Sequence, residues 1–245
     1  MTIKEALAAN PIDKIEAEIV LSGLLRKDRS FLYAHPEFRL SKTRTSKLTS
    51  KLKRRERGEP LAYILGYKEF YGLKFYVDKR VLIPRQETEE LIEKVFNWIK
   101  KKNLTAPSIC EVGTGSGCIA VTLAKLAPSA KIYAIDIDKH ALEVAKKNAK
   151  LHGVSEKITF LQGDLLTPLS EKVDLIVANL PYIPTKKISS LQGELRDWEP
   201  RVALDGGTDG KELYLKLFKQ AMNFLKPSGV IFYEVDGQVF KKSGI

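Results

Sequence analysis

Across residues 12–25 the apolar positions Ile12, Ile15, Ile19, Leu21, Leu24 and Leu25 recur at roughly helical spacing, which predicts an amphipathic helix. A second helix, strongly basic, is expected around Leu48 and Leu52. Over residues 61–84 the pattern changes to Tyr, Phe, Val and Ile punctuated by Gly66 and Gly72, the mark of short strands or a hairpin. Residues 87–101 return to a helical pattern, with carboxylates in the first turn and lysines in the last, as the helix dipole favours. Beyond Pro107, runs rich in Ile and Val at 108–112, 132–137, 158–162, 173–178 and 230–235 read as strands. Helical stretches fall at 119–126, 139–152 and 212–225. Strands this continuously apolar, alternating with helices, imply an α/β fold with a parallel sheet covered on both faces. Ligands of such sheets bind beyond the carboxyl ends of the strands. The expected division is a helical module at 1–60, a β-hairpin connector at 61–84 and the α/β domain at 85–245.

Composition narrows the class. With 245 residues and 44% apolar side chains the chain can fill a core, so wholesale disorder is excluded. No stretch approaches the roughly 20 apolar residues of a membrane span, and the start MTIKEALAAN has no basic segment followed by an apolar one. Cys110 and Cys118, with His35, His140 and His152 scattered, match neither a zinc site nor a disulfide framework. A cytoplasmic protein without a bound metal is the expectation. The net charge of +11 is uneven: between Ser41 and Gly58 stand Lys42, Arg44, Lys47, Lys51, Lys53, Arg54, Arg55 and Arg57 against Glu56 alone. Such a block either attracts an anionic partner such as RNA or the ribosome through counterion release, or is a solvated helix face.

Four motifs fall where the topology puts ligands. Gly113, Gly115 and Gly117, interleaved with Thr114 and Ser116, follow the first strand and open a helix, so the backbone can approach a ligand closely. The spacing is GxGxG, and Cys118 stands where a dinucleotide loop would have its last glycine. Asp136 ends the second strand, where a carboxylate accepts from both hydroxyls of a ribose; capping the next helix is the plainer role, which Asp138 suits better. Asp164, beside Leu165, ends the third strand, either to accept from an adenine amino group or as a simple turn residue. Asn179, Leu180, Pro181 and Tyr182 end the fourth. There the Asn179 side-chain oxygen and the Leu180 carbonyl can each accept one hydrogen of a planar NH2 group, with the Tyr182 ring stacked on its face.

The order of segments resembles that of HemK/PrmC-type methyltransferases. The resemblance is carried by RRERGEPLAYILG from Arg54, EFYG from Glu69, VLIPR from Val81 with Glu87-Thr88-Glu89, the glycine loop, NLPY from Asn179 and WEPRVALDGG from Trp198, and it spans about residues 10–240. It implies a Rossmann-like class I catalytic domain that uses S-adenosylmethionine, and an N-terminal helical domain that holds a peptide-chain release factor. The implied reaction methylates the side-chain amide of the glutamine in the factor's GGQ tripeptide. It also implies cofactor contacts at Gly113, Thr114, Ser116, Gly115, Gly117, Asp136, Asp164, Leu165 and Asn179, with Arg85 and Thr88 closing the methionine end. Departures are Leu180 for the first proline of the usual NPPY and Gln86 for a proline in IPRPET. The chain also stops at Ile245, so strand five is expected to be an exposed edge, with the last hairpin strands missing through truncation. Alternatives are a ribosomal-protein glutamine methyltransferase, an rRNA or DNA adenine amino-methyltransferase, for which NLPY also serves, and a non-catalytic RNA-binding module.

Overall fold

Short helices with polar caps make up the first part of the chain in the computed structural model, which describes residues 1–9 and 12–243. Helices α1 (Ile3–Ala8), α2 (Lys14–Leu25), α3 (Arg29–Ala34) and α4 (Lys42–Glu56) are each opened by a side chain that takes up orphan N–H groups: Thr2, Asp13, Asp28 and Ser41. Residues expected to begin the β connector instead form α5 (Leu61–Leu65). Pro60 cannot donate to a ladder, and Gly66, in the left-handed region, ends the turn. Val20, Leu21, Leu32, Leu48 and Ile64 build a separate core for this unit. Met1–Gly66 and the segment Gly193–Trp198 form the first of two compact units.

The basic block is less free than its composition suggests. Arg55 is bonded to Glu16 and Glu194, Arg54 to Glu59, and Lys51 to the Ile64 carbonyl. Three of the eight cations therefore hold the unit together, while Lys42, Arg44, Lys47, Lys53 and Arg57 are exposed.

The second unit comprises Tyr67–Gln192 and Glu199–Ile245. It begins with the antiparallel pair β1 (Tyr67–Phe70) and β2 (Leu73–Tyr76), followed by α6 (Thr88–Lys101). Strands β3 (Ser108–Val112), β4 (Lys131–Asp136), β5 (Ile158–Gln162) and β6 (Val173–Ala178) alternate with α7 (Cys118–Leu126) and α8 (Lys139–Leu151). After α9 (Gly193–Trp198), which belongs to the first unit, come α10 (Glu212–Phe224), β7 (Leu225–Val235) and β8 (Gln238–Ser243). The sheet runs β5-β4-β3-β6-β7-β8, parallel except for β8. Side chains alternate between two cores: Ile109 packs with α6 and α7, whereas Cys110 and Val112 pack with α10.

One expectation is corrected here. Strand five, β7, is not an edge: β8 pairs with it antiparallel over Gln238 to Ser243, because Asp236 and Gly237, both at positive φ, turn the chain straight back. Neither cysteine is paired, and both are buried. Among the described residues no helix is long and apolar enough to cross a membrane, and no three His, Cys, Asp or Glu side chains group as metal ligands.

Candidate active site

The sheet order reverses between β3 and β6, and a cavity of about 520 Å³ opens at the carboxyl ends of β3, β4 and β6. It is lined by Gly113, Thr114, Gly115, Ser116, Asp136, Asp164, Leu165, Asn179, Leu180, Pro181, Arg85 and Thr88. The fold thus gathers nearly all the sequence-predicted site residues around one cavity. Gly117 and Tyr182 are not part of the lining.

The glycine end is built mostly by backbone. The N–H groups of Gly113 and Thr114 both donate to the Ile135 carbonyl, at 2.8 and 2.9 Å, which lashes the loop to β4. Gly113 has φ +75°, and a Cβ there would come within 2.9 Å of the Leu180 side chain, so only glycine leaves the loop in contact with the neighbouring motif. Asp136 Oδ2 accepts from Gly115 N–H at 2.8 Å and Oδ1 from Asp138 N–H at 2.9 Å. Only Oδ2 is thus tied to the glycine loop, Oδ1 being bonded to the residue that caps α8, while burial raises the carboxyl pKa. Asp138, as anticipated, caps α8 through His140 N–H. Buried Asn148 donates to the Tyr76 and Ser116 carbonyls and accepts from Tyr76 N–H, pinning the β1–β2 ribbon against the loop. Glu111 is fully buried beneath the loop. It accepts from Thr114 Oγ1 and Ala120 N–H, yet burial pushes its carboxyl up to about 8.

At the third strand end, Asp164 holds Lys216. Leu165 sits at φ +52°, a costly conformation for a leucine of the kind that clusters at ligand sites.

The other end is built by side chains. Asn179 Nδ2 donates to Thr88 Oγ1 at 3.0 Å and to Glu234 Oε2 at 3.1 Å. Thr88 and Glu234 are both buried, and the Thr88 hydroxyl in turn supports the Glu234 carboxylate. Both amide hydrogens are therefore committed to these two partners, and Oδ1 accepts no hydrogen bond from the described residues. Leu180 N–H donates to Tyr214 Oη at 2.9 Å, and that hydroxyl donates to the Glu234 carbonyl.

The segment after Trp198 contributes to the cavity itself, which Pro200, Arg201, Val202, Ala203 and Asp205 also line. Glu199, buried, accepts from Ile83 N–H at 3.1 Å and bonds Arg85. Ile183 bridges to Asp205, and a Cβ at Gly210 would fall 2.1 Å from the Tyr182 carbonyl oxygen. With its backbone trapped there, Tyr182 packs half-buried beside the α10 core rather than into the cavity. Arg85 and Thr88 do line the cavity, but their polar ends are already bonded, to Glu199 and to the Asn179–Glu234 pair.

Comparison with known proteins agrees with the motif order. Residues 2–66 match the PrmC N-terminal domain, and residues 90–191 match the ribosomal protein L11 methyltransferase (PrmA) family. A release factor glutamine methyltransferase of Geobacter sulfurreducens is 40% identical over 223 residues, covering 91% of this chain and 76% of that protein. One from Moorella thermoacetica is 39% identical over 254 residues, covering 98% and 89%. The chain belongs to the release factor glutamine methyltransferase family. A solved structure, the catalytic domain of hMettl16 in complex with the MAT2A 3'UTR hairpin 6, superposes with TM-score 0.53 and 15% identity over 80% of this chain and 69% of that one, which shows a shared fold. The PrmA match runs from α6 through NLPY, the part that forms the glycine loop and strand ends. It stops short of Glu199.

The site fits the S-adenosyl ligand that the resemblance implies. The Asp136 carboxylate lines the cavity at the end of β4, the glycine loop lies beside it, and Asn179 and Leu180 line the same cavity. Sequence reading gave no role to three contributors: Glu234, Tyr214 and Glu199, the last lying within the WEPRVALDGG segment. Glu234 had a signal, a lone carboxylate in the apolar run 230–235; Tyr214 on an ordinary amphipathic helix had none.

Proposed function

We propose that this chain transfers a methyl group from S-adenosylmethionine to the side-chain amide nitrogen of the glutamine in the GGQ tripeptide of a peptide-chain release factor. The observation that carries this reading is the locked carboxamide of Asn179, whose nitrogen is turned onto Thr88 and Glu234. An acceptor held that way suits a guest that brings N–H groups.

Gly113, Thr114, Gly115, Ser116, Asp136 and Leu165 are the residues that would hold the cofactor. Bound there, S-adenosylmethionine supplies an electrophilic methyl carbon. An amide nitrogen is a weak nucleophile because its lone pair is delocalised, so orientation is the main contribution open to the protein. Asn179 Oδ1 and the Leu180 carbonyl each take one hydrogen of the guest NH2 and leave the face of the nitrogen directed along the cavity. Well-oriented reactants gain on the order of 7–11 kcal/mol. The same two oxygens stabilise the positive charge that builds on the nitrogen as its bond to the methyl carbon forms and the carbon–sulfur bond breaks. S-adenosylhomocysteine would be the product, and the nitrogen sheds one proton to water. Cys110 and Cys118, buried free thiols, suit a reducing compartment, the cytoplasm.

The test is incubation of the purified chain with labelled cofactor and either a GGQ-containing release factor or ribosomal RNA, followed by mass spectrometry of the factor. One added methyl on the GGQ glutamine is the expected result. Label on RNA alone would reject the reading in favour of an adenine amino-methyltransferase.

A further inference from the structure

Leu180 carries an N–H that a proline in its place would lack, and the peptide is buried at the cavity wall. The N–H belongs to the Asn179–Leu180 peptide, one unit before the Leu180 carbonyl; left unpaired there, it would free that peptide to turn and carry the carbonyl with it. Tyr214, five per cent exposed, takes it up at 2.9 Å through Oη. The same hydroxyl lies 3.2 Å from the Leu180 carbonyl oxygen and is hydrogen-bonded to the Glu234 carbonyl. A phenol has one proton, and burial keeps it on this one. The shorter contact to the Glu234 carbonyl claims it, so the Leu180 oxygen keeps its lone pairs for a guest. The ring is fixed between Tyr233 and Phe218, at centroid distances of 5.5 and 6.2 Å.

The structure assigns to Tyr214 the role of a positioning residue: its hydroxyl holds the Asn179–Leu180 peptide, and through it the Leu180 carbonyl, in the orientation that a proline ring would otherwise impose. This rests on the reading of the Leu180 carbonyl as the second amide acceptor. Tyr214 touches no reacting atom; it acts through Leu180. Glu234 completes the device, since its side chain fixes Asn179 and its carbonyl anchors Tyr214.

Tyr214→Phe keeps the ring and removes the hydroxyl. In the variant without cofactor, exchange of the Leu180 amide proton, followed by NMR, should quicken at least ~10-fold while Val177 in β6 is unchanged. With release factor, kcat should fall about 10-fold, with KM and the calorimetric Kd for S-adenosylmethionine within about threefold. In a Leu180→Pro background, which has no N–H to hold, the same substitution should cost less than about threefold in kcat. Unchanged Leu180 exchange overturns the assignment, as does an equal loss of kcat in both backgrounds. If Leu180→Pro does not fold, the exchange measurement decides alone. A parent chain that leaves the release factor unmethylated would sink the functional reading, while the exchange result would still report on the Tyr214 contact.

Discussion

The two ends of the cavity are constructed on different principles. At the glycine end, β3 and β4 lie side by side, and the contacts that shape the loop are backbone N–H groups meeting a neighbouring carbonyl or Asp136. At the amide end, the side chain of Asn179 is held by Thr88 and Glu234, 91 and 55 positions away in the chain, and Leu180 by Tyr214, 34 positions away. The first construction depends on topology and a few glycines. The second depends on individual side chains converging from α6, α10 and β7. Cofactor binding and amide orientation should therefore be separable by mutation.

The largest separation is expected at Asp136. Asp136→Ala removes an acceptor for two hydroxyls, so the calorimetric Kd for S-adenosylmethionine should weaken about 100-fold, with kcat at saturating cofactor nearly kept. A fall in kcat with unchanged Kd would dissolve the distinction between the ends. Glu234→Gln works from the other side. A glutamine can donate as well as accept, so it permits the Asn179 carboxamide to turn over, and kcat should drop roughly 10-fold while cofactor Kd stays within about twofold. Loss of cofactor affinity in parallel would show that the clamp serves the whole cavity.

The smallest effect concerns Glu111, buried beneath the glycine loop. Its folded pKa is raised from 4.5 to about 8, so between those values the folded state retains a proton that the unfolded chain has shed. Stability should therefore decline as pH rises through that window and level off above it. Glu111→Gln should flatten this dependence, shrinking the difference in Tm between pH 5 and pH 8 in scanning calorimetry. An unaltered difference would mean that Glu111 does not carry this proton.

The same contrast explains what could be read from the sequence. Strand and helix alternation from Ser108 onward, the glycine loop and Asp136 all follow from local patterns, because a loop between adjacent strands is specified by residues near one another in the chain. NLPY was visible as a break in an apolar strand. Its supports were not, since no spacing rule links Thr88, Tyr214 and Glu234 before the sheet brings their elements together. Tyr182 shows the converse: the aromatic was evident, but the packing of Gly206 and Gly210 against its backbone, which governs where it sits, is a tertiary fact. Pro60 and Gly66 bracket a helix where the aromatic and β-branched residues between them suggested a strand. Likewise β8, with Lys241 and Lys242 and no strong apolar run, gave no periodic signal and forms because β7 offers it an edge.

Methyl transfer to the GGQ glutamine by Asn179→Ala, quantified by mass spectrometry alongside calorimetric titration of S-adenosylmethionine, probes the amide grip most directly. Removing the oriented acceptor should lower kcat by about 100- to 1,000-fold and leave the cofactor Kd within about threefold of the parent. Transfer at the parental rate, or a cofactor affinity that collapses together with the rate, would contradict it.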